Sequence, residues 1–352
     1  MDVKRSLLLK CCVLMTLFSI ARYLNFNGYT GEMIRTSLRR IASSRQTQYI
    51  QTGKPVNHIA FIKVPKAAST TVQNIFLRYG DEKNLTFALP SVNVAGGRAL
   101  TSRYFYPPPK NGTYDITCTH ITYNRAQFDK VLPNDTVYIA VIREPFSHFR
   151  SYVRFSRMQK ILNLPGDNPV LKYTGQNKKP NQTRVKEYLQ KIGKEIDIVL
   201  VLEFLDESIV LMRRILHWDM RHVLYAQLRI NMQKDPRLKF GSDAAELHKS
   251  CAFFDYKLYG FFLNKLKENL RRQPSDFHDE VVYFRKIRTK YANFCLSVIS
   301  AELLNTSVMF EGSAWNKPFV ITPKDCKRQY IHDVVFLDML KKKQLKQNWR
   351  KS

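Results

Sequence analysis

The chain has 352 residues, 44% apolar and 12% aromatic, enough to bury a sizeable core, and its length suits one large domain or two small ones, of which a single domain is expected. Its 57 Lys and Arg against 29 Asp and Glu leave a net charge of +28, which points to an anionic partner: an acidic membrane surface, a phosphorylated ligand or a nucleic acid.

In chain order, residues 1–6 carry Lys4 and Arg5 and read as a cytosolic tail. The apolar stretch at residues 7–24 reads as a transmembrane signal anchor in which Lys10 and Arg22 snorkel. Cleavage after the small-x-small triplet Ser19-Ile-Ala21 is the rival reading. Residues 25–55, rich in Ser, Thr, Gln and Arg, read as a stem. The folded domain is expected over residues 56–340, followed by a basic, frayed tail at 341–352. Asn-x-Ser/Thr triplets at Asn84, Asn111, Asn134, Asn181 and Asn305 suit a secretory route. In an oxidising lumen Cys118, Cys251, Cys295 and Cys326 could form two disulfides in any of three pairings, and their spacing fits no zinc site. Cys11 and Cys12 sit inside the anchor.

Within the domain, short apolar runs at 58–63, 114–119, 136–142 and 196–202 read as buried strands. Helical spacing marks residues 70–79 and 206–216, and two helices are expected over 244–304, broken at Gln273-Pro-Ser275. Apolar strands alternating with amphipathic helices predict an α/β fold with a parallel central sheet covered on both faces.

The chemistry concentrates where two of these strands end. Lys63-Val-Pro-Lys-Ala-Ala-Ser-Thr-Thr71 follows the first strand and opens a helix, a place where backbone N–H groups and the helix dipole gather anions. Ala67, Ala68 and Ser69 are small enough for the backbone to wrap a phosphate. Lys66 can place an ammonium on a bridging oxygen, and Ser69, Thr70 and Thr71 offer hydroxyls. The alternative is that Ser69 or Thr70 only caps the helix. The loop lacks the glycines of a nucleoside-triphosphatase loop, and no acidic motif for magnesium is evident, so no metal is expected. Arg143 ends the third strand, and Ser151 follows eight positions later on a helix expected to open at Pro145. A guanidinium fork and a hydroxyl two turns into that helix suit a terminal phosphate.

Together these elements resemble the 5'-phosphosulfate and 3'-phosphate motifs of Golgi sulfotransferases. Phe61-Ile-Lys63, Lys66-Ala-Ala-Ser-Thr-Thr-Val-Gln-Asn-Ile75, Asn84-Leu-Thr-Phe-Ala-Leu-Pro90, Glu203-Phe-Leu-Asp-Glu-Ser208, Leu211 to Asp219 and Val223-Leu-Tyr225 are similar to the galactose-3-O-sulfotransferase family. That family includes the galactosylceramide enzyme. Val64-Pro65 departs from its more usual Thr-His and is closer to heparan and uronyl 2-O-sulfotransferases. The resemblance implies a P-loop-like sulfotransferase fold and a single-pass type II protein of the Golgi membrane. The implied donor co-substrate is 3'-phosphoadenosine-5'-phosphosulfate (PAPS), held by residues 66–71, Arg143 and Ser151, and the acceptor is a glycolipid or glycan ending in galactose. Nucleic acid is then no partner, and a homo-oligomer is left open.

Sulfuryl transfer to an alcohol needs a proton acceptor. Of the eight histidines, His120 closes the second strand beside the loop, and the resemblance makes it the catalytic base, with Lys66 on the leaving phosphate. His58 begins a strand at its far end. His148 reads as a surface residue able to assist donor binding, and Lys63 either touches the sulfuryl group or edges the core. Tyr104, Phe105, Tyr106, Tyr123 and Trp218 are candidate acceptor contacts. The competing readings are a uronyl or heparan 2-O-type enzyme and a non-enzymatic, membrane-tethered glycan-binding protein.

Overall fold

The computed structural model describes residues 53–91, 99–101, 103–108, 112–156, 182–227, 243–300 and 306–349. The anchor expected at 7–24 lies outside them, as does the stem up to residue 52. Among the described residues no helix is long and apolar enough to cross a membrane.

The elements run β1 (Ile59–Ile62), α1 (Ser69–Glu82), β2 (Ile116–Thr117), α2 (Arg125–Phe128), β3 (Val137–Ile142), α3 (Pro145–Ser156), α4 (Gln182–Glu195), β4 (Ile198–Val201) and α5 (Leu205–Leu216). After α6 (Met220–Val223) come α7 (Ala244–Cys251), α8 (Phe253–Arg271), α9 (Phe277–Ile299), β5 (Val308–Phe310), β6 (Phe319–Ile321), α10 (Pro323–Tyr330) and α11 (Asp333–Trp349). All four predicted strands form. They make one parallel sheet in the order β2-β1-β3-β4, flanked by helices, with Ile59 beside Ile116 and Val137, and Ile139 beside Ile198. β1 is wholly buried and β3 nearly so, as continuous β-branched and aromatic runs in a covered parallel sheet should be. α5 and α8 pack on β4, and α11 packs on α1.

An aromatic cluster anchors α1. Phe61 meets Phe76 at 5.0 Å between ring centroids, and Trp218 stacks on Tyr79 at 3.6 Å while its indole N–H donates to the Val56 carbonyl at 2.8 Å. Trp218 is therefore core.

Three expectations change. The described part of the stretch expected to hold two helices, 244–300, holds three, because Ala252 (φ −103°, ψ 28°) interrupts the first before Pro274 separates the other two. The tail expected to fray from 341 is helical to Trp349. Phe336 and Leu340 are buried, Lys343 Nζ donates to Asp81 at 2.8 Å, and Gln344 Oε1 accepts from the Phe87 N–H at 2.8 Å. One disulfide forms among these four cysteines, Cys295–Cys326, joining α9 to α10. Cys118 and Cys251 are free thiols, and burial pushes the Cys118 thiol up to about 12.

The larger compact unit comprises Gln51–Glu311 and Pro318–Ser352; the described part of the smaller one, Gly312–Lys317, is a turn in which Ser313 Oγ donates to Asn316 Oδ1 at 2.5 Å.

Candidate functional site

In this strand order β1 lies between β2 and β3, so the chain leaves β1 towards one neighbour and later arrives at the other. In an open parallel sheet, ligands bind in the crevice beyond the carboxyl ends at such a reversal. The residues that follow β1 and β3 are the two motifs read from the sequence, 63–71 and 143–151.

The loop after β1 is held in an uncommon shape. Lys66 (φ 64°) and Ala68 (φ 58°) adopt the left-handed conformation, unfavourable by roughly 1 kcal/mol or more for a residue with a Cβ. Three side chains from other elements fix the loop's carbonyls. His120 Nδ1 lies 3.1 Å from the Lys63 carbonyl, His148 Nε2 lies 2.6 Å from that of Pro65, and Arg143 donates to that of Lys66 at 3.1 Å. Left-handed residues alternating with ones of ordinary handedness form the backbone nest that receives anions. Small side chains permit the tight path, with Ala67 fully buried.

α1 then starts at Ser69. Its N-cap is Ala68, with no side-chain cap, so the reading in which Ser69 or Thr70 merely caps the helix is not what forms. A helix leaves its first N–H groups without intrahelical partners, and here those belong to Ser69 and Thr70. With Ser69 and Thr71 buried and Thr70 half-buried, the feature fits an anion seat better than a closed helix end.

Arg143 is half-buried at the end of β3 and turned towards the loop, as its hydrogen bond shows. Glu144 beside it accepts from the Phe146 and Ser147 N–H groups at 2.9 and 2.7 Å, closing the start of α3. Ser151 stands half-buried on α3, three residues beyond His148 and so on the helical face whose histidine reaches the loop.

The two loop histidines are neutral at physiological pH. Burial, helped by the Lys63 charge, lowers His120 to about 4 despite its bond to the Lys63 carbonyl. Burial likewise lowers His148 to about 4, with Arg143 and Lys66 acting in the same direction. A carbonyl only accepts, so Nδ1 of His120 carries the proton and Nε2 holds the lone pair; in His148 the roles are reversed.

The structure thus gathers Lys66, Ala67, Ala68, Ser69, Thr70 and Thr71 with Arg143 and His120 around one loop. His148, expected at the surface, is 2% exposed because its ring is needed under the Pro65 carbonyl. Lys63 is buried, donating to Gln73 Oε1 at 2.6 Å and Asp333 Oδ2 at 3.0 Å. His58 lies at the far end of β1, against Asp135 at 2.6 Å. Of the aromatic acceptor candidates, Phe105, Tyr123 and Trp218 are buried, leaving Tyr104 and Tyr106 half-exposed. The sequence reading missed Gln73, which helical spacing from the loop could have suggested, and Asp333, which no local pattern signals.

Comparison with known proteins shows the family. The Galactose-3-O-sulfotransferase family model matches residues 1–164 and 170–309. Galactose-3-O-sulfotransferase 2 of Homo sapiens is 28% identical over 276 residues, 69% of either chain. Galactose-3-O-sulfotransferase 3 of Mus musculus is 27% identical over 241 residues, 58% of this chain and 55% of the relative. Galactosylceramide sulfotransferase of Mus musculus is 27% identical over 246 residues, 59% of this chain and 56% of that one. The chain therefore spans little more than half the length of these last two relatives. With the match covering β1, the loop, β3 and most of the remaining chain, the protein belongs to the galactose-3-O-sulfotransferase family of carbohydrate sulfotransferases.

Proposed function

We propose that this protein transfers a sulfuryl group from PAPS to the 3-hydroxyl of a terminal galactose in a glycan or glycolipid. The observation that carries the reading is the pinned loop 63–71 at the sheet's reversal point, with His120 tied to the loop's first carbonyl. In this reading the strand–loop–helix unit is the P-loop-like unit of the sulfotransferase fold. The Ser69 and Thr70 N–H groups, the hydroxyls of Ser69, Thr70 and Thr71 and the Lys66 ammonium hold the 5'-phosphosulfate, while Arg143 and Ser151 take the 3'-phosphate.

The chemical step follows from the tautomer. His120 Nε2 takes the proton of the acceptor hydroxyl as its oxygen bonds to sulfur, and the bond between sulfur and the phosphate oxygen breaks in line. The electron pair leaves with adenosine 3',5'-bisphosphate, whose growing charge Lys66 stabilises. No covalent enzyme intermediate and no metal takes part. Residues 7–24 anchor the protein in the Golgi membrane as a type II protein, with the catalytic domain luminal beside membrane-borne acceptors.

The test is transfer of labelled sulfate to a panel of acceptors. Products sulfated on the galactose 3-hydroxyl are expected; transfer to uronate acceptors instead, or binding of glycans with no transfer, overturns the reading. His120→Ala should lower turnover by about 10²- to 10⁴-fold while bisphosphate affinity stays nearly constant.

A further inference from the structure

We infer that Asp333 is a positioning residue for the transfer site, acting from the first turn of α11 through Lys63 on the carbonyl that orients His120. This rests on the reading of His120 as the base. Lys63 is the first residue beyond β1, and its two ends do different work. Its carbonyl receives His120 Nδ1 at 3.1 Å, and its ammonium lies 3.0 Å from Asp333 Oδ2 and 2.6 Å from Gln73 Oε1. The residue is 3% exposed, so its charge sits out of water, where an ammonium needs an anionic neighbour and hydrogen bonds to remain in place. Asp333 supplies the negative charge across 270 positions of sequence, from a helix that lies beyond the residues matched by the family model. Phe336 and Leu340 bury one side of that helix, and Lys343 and Gln344 tie it to Asp81 and Phe87, so the carboxylate is presented from a fixed support.

Removing the carboxylate should let the Lys63 ammonium turn towards water. The backbone at Lys63 would move with it, and the Nδ1–H tautomer of His120 would lose the carbonyl that selects it. Electrostatics act in the same sense, since Lys63 disfavours a proton on His120 and Asp333 favours one. Losing Asp333 makes His120 a weaker base.

The experiment uses the full chain with Asp333→Asn, Asp333→Glu, Lys63→Met and the double variant Lys63→Met with Asp333→Asn. We expect Asp333→Asn to lower turnover at least 10-fold, with adenosine 3',5'-bisphosphate affinity within about threefold of wild type. Asp333→Glu should recover part of the loss, and in the Lys63→Met background Asp333→Asn should add far less than it does alone, because most of the effect passes through that lysine. Nitrogen-15 spectra of the His120 ring supply a readout independent of acceptor choice. They should show Nδ1–H in the wild type and a tautomer mixture in Asp333→Asn. An unchanged tautomer in a folded Asp333→Asn protein overturns the inference, as does a multiplicative loss in the double variant. A wild type with no transfer to any acceptor would fail the functional reading instead, and the tautomer measurement would still decide the role of Asp333.

Discussion

Two regions of this molecule use their polar contacts in opposite ways. On the helical side, Arg213 and Arg214 converge on the fully buried Glu280. Arg213 Nε donates to Oε1 at 2.8 Å, Arg214 Nε donates to Oε2 at 2.5 Å, and Arg213 also reaches the Trp218 carbonyl at 3.2 Å. Further along the helix that carries Glu280, Cys295 is bonded to Cys326. At the end of β1 and β3, by contrast, Arg143 and two neutral imidazoles are spent on backbone carbonyls of a loop with two left-handed residues. A carboxylate cancels a guanidinium's charge; a carbonyl orients it without cancelling it. The first region uses its polar contacts to join elements, and the second uses them to hold a backbone shape ready for an anion.

That comparison predicts a separation of effects. Glu280→Ala leaves Arg213 buried without this carboxylate and should lower the unfolding free energy by about 3–5 kcal/mol, measured by urea denaturation. Bisphosphate affinity of the protein that remains folded should hardly change. Next in size, replacing Cys295 and Cys326 by Ala frees a loop with a sequence separation of 31, worth about 3–4 kcal/mol in the chain-entropy account, again without loss of bisphosphate affinity. Loss of that affinity in either variant would break the division.

The reverse pattern is expected at the loop. Arg143→Ala should weaken bisphosphate binding by about 10- to 100-fold, the range for hydrogen bonds to a charged group, and change the unfolding midpoint little. Calorimetric titration of the folded variant measures the first, and thermal unfolding the second. Unaltered binding would remove Arg143 from the donor site.

Much of this was legible in the sequence, for reasons visible in particular residues. Runs such as Val137–Ile142 are apolar on both sides and can only be interior strands of a covered sheet, and the small residues at 67–69 after such a strand mark an anion loop. Pairings at long range were not legible. Asp333 is an ordinary helix-opening acid until the fold sets it against Lys63, and Cys295 has the same local appearance as Cys251, although only Cys295 faces a partner. His148 misled because the residues around it on α3 read as a surface helix; its burial depends on a carbonyl 83 residues earlier. Trp218 looked like a sugar platform for the same reason, since aromaticity is local and stacking on Tyr79 is not.

The smallest effect expected tests whether loop shape and loop stability are linked through His148. This ring is buried and neutral, with its proton affinity lowered to about 4 from an ordinary value near 6.5. Between those values the unfolded chain binds the proton and the folded chain does not, so the contribution of His148 to stability is present above pH 6.5 and lost as the pH falls towards 4. From pH 6.5 to 5 the loss should be about 1–2 kcal/mol. The total slope with pH also contains His120, which acts in the same direction, and Asp255, which burial pushes up to about 7 and which acts in the opposite one. The informative quantity is therefore the difference between wild type and His148→Gln, whose amide can still donate to the Pro65 carbonyl but does not titrate. The wild type should lose more stability than the variant over this range, and curves that stay parallel from pH 6.5 to 5 would show that His148 is not held neutral beneath the loop.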